Sequence, residues 1–362
     1  MKPNDLPLIS VVIPNYNGAA LLAACLLSLE RQSRAGCEVL VVDNGSSDDS
    51  VERVRQVAPG AVILQQDRNL GFAGAANAGI RAAAAEWIAI LNNDTELETE
   101  WLARCADAIG NYPDAAFFAC RILDFARHDL VYSAGDCFLR AGIGYRRGQE
   151  QPDRPEYDTE GEAFGACGCA ALYRKSALVR VGGYDDRLFA YMEDVELGLR
   201  IQASGMRGYY LPAARVYHHG AATSGGEFSP LSVTLRTRNS LLVLLKSVPA
   251  KILLRCVPMI LLSQVFWLAR VIRHGRILSY LRGLTGALGL VPAMLRSRSE
   301  LRPQWSSAAV EGLWSAIARS EAAARADCSS SASKCPALFL RLYFFLFGPV
   351  ETKCTPSARG PR

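Results

Sequence analysis

Four places in the chain carry groups that could do chemistry. Asn92, Asn93 and Asp94 follow a run of five apolar residues, Trp87 to Leu91. A carboxylate there suits a hard cation such as Mg²⁺ or Mn²⁺. Asp43 closes a second apolar run, Val39 to Val42. Glu193 and Asp194 stand side by side at the entry to an amphipathic segment, where a carboxylate could act as a general base. His218 and His219 follow a short run ending in Val216 and Tyr217. Alone, each has an ordinary reading. Asn and Asp are frequent turn residues, and paired acids at a helix start are stabilised by the helix dipole.

The elements that must position these groups alternate. Ile9 to Pro14 is β-branched and predicts a strand, with Asn15 to Gly18 as the loop after it. Leu22, Leu26 and Leu29 fall on one helical face. Strands follow over Glu38 to Asp43 and Ala61 to Leu64, with a helix carried by Val51 and Val54 between them. The glycine loop Asn69 to Gly74 feeds an alanine-rich helix, Ala75 to Ala85, and then the strand Trp87 to Leu91. Repeated strand–helix units imply a mostly parallel sheet with right-handed crossovers. Loops after the first, second and fourth strands share one edge of such a sheet, the edge where ligands bind. Asp43 and Asp94 are therefore expected to converge.

Further along, a helix over Trp101 to Ile109 and a strand over Ala115 to Cys120 are expected. Residues 121 to 163 read as hairpin and loop, a lid or an acceptor-facing region. Gly165 to Tyr173 is small residues leading into a strand, and Lys175 to Val181 is a short helix. Val195 with Leu199, and Glu196 with Arg200, are spaced for one amphipathic helix. Short strands are expected over Gly208 to Pro212 and Ala214 to Tyr217.

Composition sets bounds. The 362 residues allow one large α/β domain plus an appendage. A net charge of +5 is mild and does not call for nucleic acid. Eleven scattered cysteines, an odd number, fit reduced thiols better than a disulfide framework. Cys167 and Cys169 do not have a zinc spacing. The apolar run Leu8 to Ile13 is short and lacks a small-residue cleavage site, so it reads as a strand rather than a signal peptide. No uninterrupted apolar run reaches the roughly 18 residues of a membrane span.

Beyond residue 236 the character changes. Val257 to Ala269 and Leu284 to Leu295 are largely apolar and bordered by Lys246, Lys251, Arg255, Arg270, Arg273, Arg276, Arg282, Arg296, Arg298 and Arg302. Basic amphipathic helices on an anionic membrane face are expected. The other reading is a helical cap on the main domain.

Six stretches occur together in one order: Val11 to Gly18, Val41 to Asp48, Asn69 to Asn77, Asn92 to Asp94, Glu193 with Asp194, and Val216 to His218. In this the chain resembles family 2 glycosyltransferases, inverting enzymes of the GT-A fold, and within them rhamnosyltransferase-type enzymes of cell-surface polysaccharide assembly. The resemblance covers roughly residues 8 to 240. It implies a catalytic domain over 6–235, a basic helical extension over 236–304 and a tail of open structure over 305–362.

The resemblance also implies roles. Pro14, Asn15, Tyr16 and Asn17 would frame the nucleotide, with Asp43 and Asn44 at its base or ribose. Asn69, Gly71, Phe72 and Asn77 would shape the wall near ribose and pyrophosphate, together with Asn92 and Asn93. Asp94 and His218 would hold the divalent cation that bridges the phosphates. Many relatives carry Asp where this chain has Asn92, which leaves Asp94 as the one carboxylate of that motif. Asp194 would be the base, with Glu193 beside it positioning or contacting the acceptor. No Gln-x-x-Arg-Trp run follows the base, so transfer of a single sugar is expected rather than processive synthesis.

The expected donor is a nucleotide-diphospho-sugar such as dTDP-rhamnose. The expected acceptor is a saccharide or lipid-linked saccharide at the cytoplasmic face of the cell membrane, with no nucleic acid partner and a homo-oligomer left open. Two rivals stand beside this reading. A sugar nucleotidyltransferase or dehydrogenase would place a glycine-rich phosphate loop after the first strand, where Pro14 to Gly18 stands instead. A membrane-associated nucleotide-sugar binder would not need both Asp94 and Asp194.

Overall fold

The computed structural model describes residues 7–34, 36–220, 225–329 and 336–350. The first half runs β1 (Ile9–Asn15), α1 (Ala19–Glu30), β2 (Cys37–Asp43), α2 (Ser50–Val57), β3 (Val62–Gln65), α3 (Gly71–Ala82), β4 (Trp87–Leu91), β5 (Thr95–Leu97) and α4 (Trp101–Asn111). Then come β6 (Ala115–Asp124), β7 (Leu130–Ser133), β8 (Asp136–Phe138), β9 (Gly144–Arg146), β10 (Gln151–Pro152), β11 (Gly161–Glu162), β12 (Ala170–Arg174), α5 (Lys175–Val181), α6 (Glu193–Ala203) and β13 (Arg207–His218). Among the described residues five helices follow: α7 (Pro230–Ser247), α8 (Ala250–Arg273), α9 (Ile277–Leu301), α10 (Ser307–Ser329) and α11 (Pro336–Leu346).

The main sheet has the order β10-β7-β6-β12-β4-β1-β2-β3, with β13 joined to β6 and β5. β3, β2, β1 and β4 are parallel, as expected from the alternation. β12 is antiparallel to both β4 and β6, so the sheet is mixed beyond β4. The strands are apolar on both faces because helices cover both. Val11, Ile13, Val41, Ala89 and Leu91 pack with α1 and α4. Val12, Leu40, Val42, Ile88 and Ile90 pack with α3 and the α5–α6 layer. Each fully buried aliphatic side chain is worth about 1.5–3 kcal/mol, so this two-faced burial fixes the register that brings the loop ends together.

Several expectations are corrected in detail. β1 continues through Pro14 to Asn15, because β2 pairs with it as far as Asp43. α3 begins at Gly71, inside the expected loop. The two short strands at 208–217 are one strand, β13, kinked by a register shift between Leu211 and Arg215 around Pro212. α7 crosses residue 236, so the change of composition falls inside a helix.

The expectation of no membrane-length segment is also corrected. α8 and the stretch Ile277–Gln304 are long and apolar enough to cross a membrane, and only 22% of each apolar window is buried. Neither forms an uninterrupted apolar run, because Ser263 and Gln264 in one, and glycines and Thr285 in the other, interrupt the apolar residues without breaking the helices.

The region after 305, left open by the sequence, is built on α10. Its Leu313, Ala316 and Ile317 pack with Phe138, Phe164 and Leu199. Ser320 accepts from the Phe138 N–H at 2.7 Å, and Glu321 grips Arg140. Asp327 accepts from the Gly148 N–H and from the hydroxyls of Tyr145 and Tyr157. α10 therefore clamps the β8–β9 hairpin from behind. The serine tract near 328–334 lies largely outside the described residues.

Candidate active site

Asp43 and Asp94 sit at the carboxyl ends of β2 and β4, the strands on either side of β1. Both are buried, and Oδ1 of each has no hydrogen-bond partner among the described residues. Such orphaned acceptors are rare in folded proteins and mark places where something else binds. Oδ2 of Asp43 accepts weakly from the Ser46 N–H at 3.4 Å.

β13 returns beside β5 with His218 opposite Thr95. That register brings His218 Nε2 to 3.1 Å from Asp94 Oδ1, an ion-pair distance without the alignment of a hydrogen bond. Asn92 Nδ2 lies 3.3 Å from the same ring nitrogen. Burial acts to raise the Asp94 carboxyl, but the facing His218 holds it below its ordinary value. His219 turns away: its Nε2 is 3.5 Å from Glu96, and its ring stacks on Phe125 at 3.6 Å. Asp94 and His218 together present an oxygen and a nitrogen at one point, a donor set that suits a divalent cation. The orphaned Asp94 Oδ1 fits such an ion.

The loop residues knit to one another. Asn15 Oδ1 accepts from Asn93 Nδ2 at 2.6 Å, and a side chain at Gly18 would collide with both. Asn17, at φ +50°, takes the Ser47 N–H on its side chain and gives its own N–H to Ser46. Asn44 bonds Asn69 Oδ1 and the Gly71 carbonyl, and Asn69 also accepts from the Gly71 N–H. Gly71 has φ +75°, and a Cβ there would lie 2.5 Å from Phe189. Asn77 gives its amide to the Tyr184 carbonyl and to Asp186, and accepts from the Tyr184 N–H. The rings of Phe72 and Tyr184 meet edge to face at 5.8 Å. Pro14 is half-buried in β1, whereas the Tyr16 ring is exposed at the rim.

α6 starts with the expected acids. Met192 precedes it in a left-handed conformation. Asp194 Oδ1 accepts from the Val195 N–H at 2.7 Å and Oδ2 from the Gly168 N–H at 3.1 Å, which fixes the carboxylate without using all its lone pairs. Glu193 is buried with Oε2 unpartnered among the described residues, and burial followed by the Asp194 charge pushes it well above its ordinary value. A buried network holds α6 in place. Lys246 of α7 reaches Asp185 at 2.7 Å and Glu196 at 2.8 Å, and Arg200 pairs with Glu196.

A sequence model of "Glycosyl transferase family 2" matches residues 10–182. A PGL/p-HBAD biosynthesis glycosyltransferase of Mycobacterium bovis is 30% identical over 234 residues, covering 63% of this chain and 80% of that protein. The chain belongs to glycosyl transferase family 2. An N-acetylglucosaminyl-diphospho-decaprenol L-rhamnosyltransferase of Mycobacterium tuberculosis is 29% identical over 245 residues, covering 59% of this glycosyltransferase and 77% of that one. Among solved structures, GalNAc-T7 with UDP, GalNAc and Mn²⁺ is similar with TM-score 0.52 and 16% identity. That match covers 66% of this chain and about half (48%) of the other, and supports the GT-A fold alone.

In the glycosyltransferase, further residues that the sequence did not single out border the candidate site. Asp136 is buried against Cys167 and Asp194, with ligating atoms of the three within 4.8 Å of one another. Neither Asp136 oxygen has a hydrogen-bond partner among the described residues. Burial, then Cys167 and Asp194, push its carboxyl well above the ordinary value beside the base candidate. Tyr132 meets the His218 ring edge to face at 4.4 Å. The Arg146 guanidinium lies 4.0 Å over Tyr132. All three come from residues 121–163, where the one usable sign was an acid set between Ala134-Gly135 and Cys137-Phe138.

Proposed function

We propose that the enzyme is an inverting, non-processive transferase of a single sugar, rhamnose, from a nucleoside-diphospho-sugar to a lipid-linked saccharide. The observation that carries this is the joint placement of Asp94 with His218 on the sheet edge and of Asp194 at the start of α6. The name of the Mycobacterium tuberculosis relative, a rhamnosyltransferase of an N-acetylglucosaminyl-diphospho-decaprenol, supports the sugar and the lipid acceptor.

Asp94 and His218 would hold a divalent cation, which when bound supplies positive charge for the leaving diphosphate. Asp43 Oδ1 would accept from the base or ribose, and the exposed Tyr16 ring would lie against the base. Asn15, Asn17, Asn44, Asn69, Asn92 and Asn93 build and stiffen that rim, and Asn77 anchors the turn at 184–186. The acceptor hydroxyl oxygen bonds to the anomeric carbon from the face opposite the diphosphate. The bond from that carbon to the diphosphate oxygen breaks, and the hydroxyl proton passes to Asp194. The bonds from Gly168 and Val195 keep the carboxylate aimed. Glu193 borders the acceptor.

The C-terminal helices would lie on the cytoplasmic face of the membrane. Between Phe228 and Ser299 there is no Asp or Glu but eleven Lys and Arg. Leu254, Leu261, Val265, Leu278, Leu288 and Phe345 are exposed on α8, α9 and α11. Cationic helices with bare leucines match an anionic lipid surface.

Thermal stabilisation by a panel of nucleoside-diphospho-sugars with Mn²⁺, followed by transfer assays, tests the donor. A bound ligand raises the melting temperature by mass action. The largest shift is expected with dTDP-rhamnose. A response only to nucleoside triphosphates, with pyrophosphate release, would contradict the reading.

A further inference from the structure

Asp136 and Arg146 stand directly opposite each other in the β8–β9 hairpin. Opposite charges in that position commonly pair across strands. Here no ion pair joins them. The acid turns toward Cys167 and Asp194. The guanidinium lies over Tyr132, whose ring touches His218.

Arg146 is partly buried and has no carboxylate within ion-pair distance among the described residues. The one contact of its Nε is to Gln149 at 3.4 Å. Asp136, its partner across the strands, forms no ion pair with it, and although Arg146 acts to lower that carboxyl, burial with Cys167 and Asp194 raises it. The surroundings are cationic as well. Arg236, over the Tyr191 ring at 5.3 Å, is shifted down by burial; Glu227 opposes this shift and Arg146 adds to it. A desolvated cation without a counter-ion is costly and is normally compensated by an anion.

We propose that Arg146 is a phosphate-binding residue whose guanidinium takes a diphosphate between the Asp94–His218 pair and Asp194. Arginine presents a planar fork that matches phosphate oxygens in bidentate fashion. Stacking on Tyr132 holds that fork in one orientation before the ligand arrives. The hairpin thus delivers a cation to the diphosphate and a second carboxyl to the base candidate, and α10 holds both from behind through Arg140–Glu321 and Asp327.

The inference rests on the reading that this site handles diphosphates. Two sources share that chemistry, the donor nucleotide and a lipid diphosphate on the acceptor. Calorimetric titration of the full chain separates them. The probes are dTDP and UDP with Mn²⁺, farnesyl diphosphate in EDTA, and thymidine and uridine as phosphate-free controls, each on wild type, Arg146→Met and Arg146→Lys.

A loss of at least about tenfold for dTDP or UDP in Arg146→Met, with smaller loss in Arg146→Lys and nucleoside binding unchanged, assigns the donor diphosphate. The same loss confined to farnesyl diphosphate assigns the acceptor. Equal affinity of Arg146→Met and wild type for all three diphosphates overturns the proposal while leaving the transferase reading standing. Wild type that binds none of them overturns both. Ligand-free Arg146→Met should melt at or above the wild-type temperature, because no native ion pair is lost. A melting point several degrees lower would mean that Arg146 serves the fold, and would overturn the proposal.

Discussion

His218 Nε2 and Asp94 Oδ1 lie 3.1 Å apart, although one ends β13 and the other follows β4. The pairing of β13 with β5 makes this possible, since it sets His218 opposite Thr95. Two such groups around a cation require that removing either weakens the ion. Asp94→Asn and His218→Ala should each lower Mn²⁺ affinity by about 10–100-fold, and transfer with it. Asn92→Asp should do the reverse, because it adds a carboxylate beside the same histidine. Mn²⁺ titration followed by electron paramagnetic resonance checks all three. Unchanged affinity in Asp94→Asn would remove Asp94 from the metal site.

Asp194 is held by two backbone N–H groups and keeps lone pairs for a proton. Asp194→Asn preserves both the shape and a hydrogen-bonding oxygen. It should reduce kcat by about 10²–10⁴-fold, the usual range for a general base. Affinity for the nucleoside diphosphate should stay within about twofold, since Asp194 makes no donor-phosphate contact in this account. Stopped-assay rates and calorimetry measure the two effects separately.

The sheet edge was legible in the sequence because its strands are apolar on both faces and their loops carry acids and amides in a fixed order. Asp43, Asp94, Asp194 and His218 all stand at element ends, where local pattern speaks. Asp136, Tyr132 and Arg146 were not legible. They belong to strands of three or four residues, too short for a clear period of two, and the β8–β9 hairpin is held by α10, far away in the chain. The membrane-length helices were hidden for a different reason. A single Ser, Gln or Thr breaks an apolar run in the sequence but turns harmlessly to one side of a helix.

The Lys246–Glu196–Asp185 contacts tie α6 to α7 and can be tested by stability. Lys246→Met leaves two buried carboxylates short of a partner and should cost about 3 kcal/mol or more. Burial works to raise Glu196, but Arg200 and then Lys246 bring it from an ordinary 4.5 down to about 2. A lowered folded value means that the stabilisation is full above the ordinary value and is lost as pH falls toward the folded one. The melting-temperature gap between wild type and Lys246→Met should therefore be widest above about pH 5 and narrow toward pH 2. A gap that does not change over that range would contradict the pairing.

The exposed leucines and the many arginines of α8 and α9 should bind lipid. Sedimentation with vesicles containing phosphatidylglycerol is expected to pull down the protein, and less so at high salt, where surface charge is screened. Leu254→Ser with Leu261→Ser and Val265→Ser should reduce binding several-fold without lowering the melting temperature, because all three side chains are exposed. Equal binding to neutral and anionic vesicles would remove the electrostatic part of the account.

The most direct test is transfer itself. Wild-type protein, Mn²⁺, dTDP-rhamnose and a short-chain prenyl-diphospho-N-acetylglucosamine are combined, and the product is examined by nuclear magnetic resonance. One rhamnose should be added, with anomeric configuration opposite to that of the donor, and none with Asp194→Asn on the same timescale. A product that retains the donor's configuration, or transfer by Asp194→Asn at the wild-type rate, would contradict this mechanism.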